Sequence, residues 1–501
     1  MTLISRISGL ARDSVFAGAL AASVSPVADA FYVAFRIPNL FRRFSGEGAF
    51  SQAFVPVMSE YRHKHPEAEA RQFVSHMSGR FAAILFLITA VGVIGAPLLV
   101  MALAPGFIGN TDQFDMTVAM VRVMFPYMMF ISLVAMAAGV LNSYSRFAAA
   151  AFTPVLLNLV LIATAVWGAP YFSDPAQALA WGVFAAGVVQ LVFQFPFLYR
   201  IRMLPRPRVS SHEGVSRVFR LMLPAMFGSS VSQLNIIVIT VLASFLATGS
   251  VTWLYYSNRL VEFPMGVFGI ALATVLLPSL SRQHAAKDPE TFSRLLDWAL
   301  RLGFIIGVPA AAALIVLAGP LLATILFHGK FLPIDVEKSM YAVWASAAGL
   351  LGLIQVKVLA PGFYARQDTR TPARIAAVAF AVNIVMSLVL ITPWHHVGLA
   401  AAVSIAAYAN AAMLFISLTR SRVLELQPGW RRLLAQVGLS TAAMTALLVW
   451  GVGDWRGWLQ MTIWQQVEQL LLWVIAGLAT YVIAMLIVGI RPRHLYSPAH
   501  R

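Results

Sequence analysis

The sequence contains no cysteine, which excludes a disulfide framework, a thiolate metal site and a cysteine nucleophile. Charged residues are also scarce: they make up 11% of the 501 residues, whereas hydrophobic residues make up 59%. That apolar content far exceeds what one or two soluble cores need. The composition therefore excludes a soluble globular protein and predicts an integral membrane protein.

Acidic residues are the rarer of the two charge classes, with 20 Asp and Glu against 36 Lys and Arg. The basic residues fall in short clusters between apolar runs rather than in one patch, so the net charge of +16 does not indicate a nucleic-acid binder. Lys and Arg are retained on the cytoplasmic side of membrane proteins. Alternate loops are basic, as at Arg62, Lys64 and Arg71, whereas the intervening loops carry residues such as Asp112 and Asp174. This pattern predicts that both termini are cytoplasmic.

The apolar runs predict an all-α polytopic fold of about 14 transmembrane helices, because one span needs about 20 apolar residues. The predicted spans are 2–22, 28–57 (broken), 77–103, 119–142, 150–168, 177–199, 219–247, 252–280, 296–327, 339–364, 373–393, 397–419, 433–452 and 466–490.

An internal repeat organises these spans. The segment from Phe31 to Pro56 resembles the segment from Tyr255 to Pro278, and Tyr144-Ser145-Arg146 resembles Tyr364-Ala365-Arg366, in both cases six spans apart. An even number of spans returns the chain to the same side, which predicts two six-helix lobes related by a pseudo-two-fold axis along the membrane normal. Two further helices lie outside the repeat. The predicted divisions are residues 1–205, 206–425 and 426–501.

Several arginines lie inside the predicted spans, where a charged side chain usually faces a bundle interior or a water-filled cavity. Arg6, Arg12, Arg36 and Arg259 have apolar residues on both sides. Since a guanidinium is planar, permanently charged and shaped to bind phosphate through two hydrogen bonds, these residues predict a cationic cavity for a phosphate-bearing ligand. The alternative for Arg42, Arg43 and Lys357 is that their side chains extend to the headgroup region.

Acidic residues accompany these arginines at Asp13, Asp29, Glu47 and Glu262. They are expected to orient and partly neutralise the arginines; structural ion pairing alone is the alternative role. Proline and glycine residues in the second and eighth spans are candidate bending points, and close helix packing is the alternative for the glycines. These residues are Pro38, Gly46, Gly48, Pro264, Gly266 and Gly269.

With these residues placed, the chain resembles the MurJ/MviN-type lipid II flippase family of bacteria, within the multidrug/oligosaccharidyl-lipid/polysaccharide exporter superfamily. The resemblance is carried by motifs in the same order along nearly the whole chain. They include Ala11-Arg12-Asp13, Asp29-Ala30-Phe31, Glu47-Gly48-Ala49-Phe50-Ser51-Gln52-Ala53-Phe54-Val55-Pro56, Ala104-Pro105-Gly106-Phe107, Glu262-Phe263-Pro264 and Lys357-Val358-Leu359-Ala360-Pro361-Gly362-Phe363-Tyr364.

The resemblance implies a transporter rather than an enzyme. It implies that lipid II, the undecaprenyl-pyrophosphate-linked disaccharide pentapeptide, moves from the cytoplasmic to the periplasmic leaflet of the bacterial inner membrane. It further implies that Arg6, Arg12, Arg42 and Arg259 are needed for function, with Asp29 and Glu262 in the cavity region. The two additional helices would hold the lipid tail in a groove open to the membrane. We expect a functional monomer without a cofactor or nucleic-acid partner, and cell-wall synthesis proteins are possible partners.

Two departures from the family pattern shape our expectations. Family members begin upstream of the point that matches Ser5, so Met1 is a candidate internal start. Some relatives bind sodium through carboxylates in the seventh and eleventh helices, whereas these spans contain Ser232, Gln233, Asn235 and Asn383. We therefore expect coupling to the membrane potential, with a monovalent cation as the alternative.

Three other functions are alternatives to lipid II flipping. One is another exporter of the same superfamily, either a drug–cation antiporter or a flippase of a different polyprenyl-linked oligosaccharide; an antiporter would favour intramembrane carboxylates over arginines. Another is a membrane enzyme acting on polyprenyl phosphates, which needs a positioned acid, base or metal cluster. His395 and His396 are adjacent, but no carboxylates cluster with them in the sequence. A structural scaffold, the third alternative, does not explain the intramembrane arginines.

Overall fold

The computed structural model describes residues 2–20, 25–42 and 49–490, except for the side chains of residues 2–3, 42, 49, 223–232, 270–271 and 273. The described part of the chain is helical and contains no strand, which confirms the all-α membrane fold. The helices are α1 (Thr2–Ala19), α2 (Val27–Arg42), α3 (Ala49–Lys64), α4 (Glu67–Ile94), α5 (Ala96–Leu103), α6 (Thr111–Met124), α7 (Tyr127–Ser143), α8 (Phe147–Ala163), α9 (Pro175–Arg200), α10 (Glu213–Ser244), α11 (Ser250–Pro264), α12 (Ile270–Ala285), α13 (Pro289–Leu326), α14 (Pro333–Ala348), α15 (Leu350–Tyr364), α16 (Arg370–Arg420), α17 (Trp430–Val452), α18 (Trp455–Trp458) and α19 (Ile463–Ile487).

Helices occupy the predicted spans. Within the described residues, ten helical stretches are long and apolar enough to cross a bilayer, judged by length and composition. One of them, α16, covers both the eleventh and the twelfth predicted span. The protein is therefore a multi-pass membrane protein, and the number of 14 spans stays a prediction.

Several predicted spans are interrupted where the local sequence disfavours a continuous helix. Gly95 separates α4 from α5, and Gly349 separates α14 from α15. Pro126, which has no amide hydrogen to donate, lies between α6 and α7. In α16 the backbone leaves helical geometry at His395, with φ 48° and ψ −128°. This break lies between the predicted spans 373–393 and 397–419 and therefore agrees with a change of direction there.

The described helices form two compact units. Unit 1 comprises Met1–Thr252 together with His328–Phe331, and unit 2 comprises Trp253–Phe327 together with Leu332–Arg501. The predicted divisions after residues 205 and 425 concern the sequence repeat, and they stay predictions.

The core of unit 1 contains stacked aromatic rings on α3 and α4. Phe50 stacks on Phe81 with ring centroids 4.6 Å apart, and on Phe54 at 5.0 Å. The Phe54 ring also lies against Gly139 of α7, where a Cβ would lie 2.8 Å from the ring. A larger residue at 139 would therefore separate α3 from α7.

The core of unit 2 joins α13, α17 and α19. Leu448 of α17 and Tyr481 of α19 are buried in one apolar cluster with residues of α13. Close approach of α17 and α19 depends on glycine: a Cβ on Gly451 would overlap the ring of Trp473, and Gly477 lies against Leu448. Small residues allow such close backbone approach between membrane helices.

Polar contacts attach the start of α17 to α13. The carboxylate of Asp297 accepts hydrogen bonds from the indole Nε1 of Trp430 at 2.7 Å and from the amide of Gln427 at 3.2 Å. It also pairs with Arg301 at 2.7 Å. Beyond the other end of α17, the side chain of Trp455 lies against Gly319 of α13. Both ends of α17 are thus held close to α13.

Helix α10 begins with an unusual capping residue. The neutral Nδ1 of His212 accepts a hydrogen bond from the amide of Gly214 at 3.2 Å, as a side-chain oxygen does in a typical N-cap. The imidazole lies 5.0 Å from the ring of His76 and 5.8 Å from that of Tyr61. Burial, followed by the charge of His76, lowers the pKa of His212 below its ordinary value of 6.5, and the nearby Glu213 opposes this shift.

Replacing Gly451 by alanine is expected to destabilise unit 2, because the added methyl group overlaps the Trp473 ring. Overpacking of this kind costs about 1–3 kcal/mol. Thermal unfolding in detergent measures the loss. Gly438→Ala on the same helix is the matched control, since a Cβ there meets no atom within 4 Å. Equal melting temperatures for the two variants would contradict this packing.

Acidification is expected to weaken the start of α10. Because the pKa of His212 is lower in the folded protein, its stabilising contribution is complete above pH 6.5 and is lost as the pH falls below that value. The melting temperature, followed from about pH 8 to about pH 5, should fall more steeply for the wild type than for His212→Asn. Asparagine is a good N-cap that does not titrate in this range. Parallel pH profiles would show that His212 does not cap α10 in its neutral form.

Candidate functional site

The arginine at position 12 is buried within unit 1 and paired with its sequence neighbour. The side chains of Arg12 and Asp13 on α1 are 7% and 1% exposed. Two guanidinium nitrogens, Nε and Nη2, donate to Oδ1 of Asp13 at 3.0 and 2.6 Å. A third, Nη1, donates to Oδ1 of Asn158 on α8 at 3.2 Å. Arg12 and Asp13 therefore form an ion pair, which agrees both with orientation of the arginine and with structural pairing alone.

Asn158 connects this pair to the start of α1. Its side-chain amide donates to Ser8 Oγ at 2.9 Å and to the carbonyl of Ser5 at 3.3 Å, so its oxygen is oriented toward Arg12. The guanidinium carbon also lies 5.6 Å from the centroid of the Phe16 ring. Such cation–π contact stabilises a desolvated guanidinium. The asparagine was not predicted from the sequence, although a lone amide within the apolar span 150–168 was its visible signal.

Arg36 contacts a different helix of unit 1. From α2 its Nη1 donates to Oγ1 of Thr240 on α10 at 2.5 Å, and this hydroxyl donates to the carbonyl of Ile236 at 2.6 Å. Arg36 is half-buried. Arg6 is also half-buried and lies on α1 about 9 Å before Arg12 along the helix axis. The first two helices of unit 1 thus carry Arg6, Arg12 and Arg36, whose side chains the structure describes.

Asp29, the predicted acidic partner on α2, binds the beginning of α11. Its Oδ2 accepts from the amide of Gly249 at 2.8 Å, and its Oδ1 accepts from the amide and hydroxyl of Thr252 at 2.9 and 2.5 Å. Asp29 is 2% exposed. A carboxylate in this position satisfies amides that the first turn of a helix leaves unpaired. The sequence had suggested a role beside an arginine and gave no indication of this cap.

In unit 2, α11 carries Arg259 and Glu262 three residues apart. Their charged groups are 3.6 Å apart, and the side chains are 31% and 52% exposed. The predicted local pair is therefore present, and its Arg259 is more accessible than Arg12. Arg42 ends α2 but its side chain lies outside the described residues, as does the whole of Glu47.

Irregular helix follows the pair in unit 2. Pro264 ends α11, and residues Met265–Gly269 form a π-helical turn before α12. Lys357 of α15 lies beside Gly269, its Cγ 3.7 Å from the position that a Cβ would take there. Proline removes a backbone donor, and π turns occur often at functional sites. The geometry thus departs from a regular helix where Pro264, Gly266 and Gly269 were predicted to bend it.

An apolar groove lies between α13 and α17 of unit 2. Its volume is about 890 Å³. Along α17 the lining extends from residue 438 to residue 450, about 18 Å of a hydrocarbon core about 30 Å thick. Small side chains form much of its floor. The lining residues are Val308, Gly438, Thr441, Ala442, Thr445, Ala446, Val449 and Trp450.

The two adjacent histidines differ in their surroundings. His396 is buried and its Nε2 lies 3.0 Å from the carbonyl of Lys338, whereas His395 is exposed. Residues 2–20, 25–42 and 49–490 contain no group of three His, Asp or Glu that could hold a metal ion.

Comparison with known proteins identifies a family. The family model described as "Lipid II flippase MurJ" matches residues 19–466. A probable lipid II flippase MurJ from Vibrio cholerae is 40% identical, covering 99% of this chain and 95% of its own. A lipid II flippase MurJ from Burkholderia cenocepacia is 43% identical over 91% of this chain and 89% of its own.

Solved structures show the same fold. A lipid II flippase MurJ in an inward closed conformation superposes with a TM-score of 0.80 at 22% identity, covering 97% of each chain. An inward-facing multidrug transporter of the MATE family superposes with a TM-score of 0.68 at 12% identity, covering 84% of this chain and 94% of its own. The resemblance predicted from the motifs is therefore confirmed, as is the interpretation as a transporter rather than an enzyme. The chain belongs to the MurJ lipid II flippase family.

Proposed function

We propose that this protein flips lipid II, the undecaprenyl-pyrophosphate-linked peptidoglycan precursor, from the cytoplasmic to the periplasmic leaflet of the bacterial inner membrane. Its relatives from V. cholerae and B. cenocepacia are named for lipid II flipping. The observation that carries the proposal is the set of arginines inside apolar helices, above all Arg12 with its bound carboxylate. A permanently charged guanidinium within a membrane helix is energetically costly. Binding of a pyrophosphate ligand would account for its presence there.

In this proposal the pyrophosphate is bound in an arginine-lined central cavity. The binding set is Arg6, Arg12, Arg36, Arg42 and Arg259, with Asp13, Asp29, Glu47 and Glu262 in supporting positions. The described geometry supports different roles within this set. Arg259 is accessible, with a loose partner at 3.6 Å, whereas Arg12 is enclosed and held by short hydrogen bonds. Arg259 would therefore meet the headgroup before Arg12 does.

The polyprenyl tail is proposed to occupy the groove between α13 and α17. A tail needs an apolar channel that is open along its length to lipid, so that the long chain does not have to enter the cavity with the headgroup. The small side chains of Gly438, Ala442 and Ala446 leave that space on one face of α17. In this proposal the arginines bind the phosphate groups, and a groove lined by α13 and α17, rather than by the last two helices alone, binds the hydrocarbon tail.

Transport would proceed by alternating access, with bending at the π turn after Pro264. Both termini would be cytoplasmic, as the distribution of arginine predicts. We propose a functional monomer that needs no cofactor, with cell-wall synthesis proteins as possible partners. Since moving one elementary charge across the membrane potential is worth about 2.3 kcal/mol per 100 mV, a cavity of fixed arginines can couple transport to that potential.

Replacing Arg259 by alanine is expected to lower lipid II exposure at the outer leaflet about ten-fold to hundred-fold, the cost of losing a hydrogen bond between charged groups. Exposure is measured in bacteria depleted of their own flippase and complemented with each variant. Arg259→Lys should be intermediate, because it keeps the charge and loses the two-pronged geometry.

Arg294→Ala is the matched control for this experiment. Arg294 pairs with Glu290 at 3.5 Å in a mostly exposed position on α13, so its loss should leave exposure unchanged. Undiminished exposure with a well-inserted Arg259→Ala protein would remove this arginine from the binding set. Absence of exposure with the inserted wild type would instead favour a flippase of another polyprenyl-linked oligosaccharide.

Dissipating the membrane potential is expected to stop transport, because the charged cavity then experiences no driving field. Exchange of external sodium for another monovalent cation at constant potential should leave the rate unchanged. Flipping by the purified protein in vesicles with a set potassium diffusion potential gives both measurements. A rate that follows sodium while the potential is constant would replace the potential by a cation as the coupling agent.

A further inference from the structure

A proline in α13 leaves one backbone carbonyl without its helical donor. Pro309 is buried within this helix and has no amide hydrogen. The carbonyl of Ile305, four residues earlier, therefore cannot form the regular hydrogen bond that continues an α-helix. In the hydrocarbon region water does not supply a substitute, so another protein group must donate to such a carbonyl.

The substitute donor is a tyrosine from α19. The hydroxyl of Tyr481 lies 2.7 Å from the carbonyl oxygen of Ile305 and donates to it. Tyr481 is 7% exposed and belongs to the apolar cluster against which Ile305 and Val308 pack. One hydroxyl thus completes α13 at the position where Pro309 interrupts its hydrogen bonding.

This contact lies beside the apolar groove. Val308, the residue immediately before Pro309, borders the groove from α13, and the other lining residues belong to α17. The two ends of α17 are already fixed to α13, by Asp297 with Trp430 and by Gly319 with Trp455. Pro309 lies between these two attachments, next to Val308.

We propose that Tyr481 is a positioning residue for lipid transport: its hydrogen bond to Ile305 fixes α13 at Pro309 and thereby sets the width of the groove for the polyprenyl tail. The inference rests on the proposed function of that groove. It assigns the role to a single hydroxyl group, which Tyr481→Phe removes while keeping the aromatic ring. Loss of the hydrogen bond leaves α13 free to bend at the proline and changes the fit of a long tail.

The test compares two substrates in vesicles that contain purified protein. One is lipid II with its undecaprenyl tail, and the other carries the same headgroup on a farnesyl tail, which is too short to fill the groove. Tyr481→Phe should slow flipping of the long-tailed substrate about five-fold, the effect of one neutral hydrogen bond. Flipping of the farnesyl substrate should be unchanged.

Two further variants separate positioning from general stability. In Pro309→Ala the new amide can donate to Ile305 itself, so adding Tyr481→Phe to this variant should cause no further slowing. Tyr408→Phe is the matched control: its hydroxyl donates to the carbonyl of Ala348 at the same distance of 2.7 Å, in a part of unit 2 that does not line the groove. This variant should flip both substrates as the wild type does.

The outcomes distinguish the inference from the proposed function. Equal slowing of both substrates by Tyr481→Phe, or no slowing of either, would overturn the positioning role while the wild type still flips lipid II. Continued slowing in the Pro309→Ala background would overturn it too, because the carbonyl then has its own donor. Failure of the wild type to flip either substrate would instead reject lipid II flipping as the function.

Discussion

The structure depends on one constraint, that a polar group inside a bilayer must find its partner within the protein. Water cannot hydrate a backbone carbonyl or a guanidinium there, and each unsatisfied group costs several kcal/mol. The contacts that define the candidate site answer this constraint in turn. Asp29 accepts from the first amides of α11, Arg12 donates to Asp13 and Asn158, and Tyr481 donates to the carbonyl that Pro309 leaves open. These bonds stabilise the fold, and in the proposed function they would also position the groups that bind the ligand.

The two units meet this constraint differently, and the difference suits a transport cycle. Unit 1 encloses Arg12 almost completely, and the neighbouring carboxylate of Asp13 balances its charge. Unit 2 leaves Arg259 partly open, with Glu262 more than half exposed. An enclosed arginine is oriented in advance, which reduces the entropy lost on binding, whereas an open arginine can meet a headgroup without prior rearrangement. In the proposed transport cycle, the ligand would use these two properties at different moments.

Much of the fold could be predicted from the sequence because membrane helices are specified locally. A run of about 20 apolar residues is enough to indicate a span, and the break near His395 followed from a short polar interval. The Arg12–Asp13 and Arg259–Glu262 pairs were visible because their members are neighbours along the chain. Asn158 and Thr240 were not predicted, since their contacts join helices that are distant in sequence. Asp29 was predicted beside an arginine, but its contact with the start of α11 was not predicted, because a helix terminus carries charge that no residue letter shows.

Pro309 and Tyr481 also bear on how this sequence can change over time. A proline within a membrane helix is tolerated when another group satisfies the freed carbonyl. Here that group is the hydroxyl of Tyr481 on α19, which is distant from α13 in the sequence. Loss of the tyrosine alone is costly, whereas loss of the proline first makes the tyrosine dispensable. Substitutions should therefore occur in order, at position 309 before position 481. Related chains that keep Pro309 should also keep Tyr481.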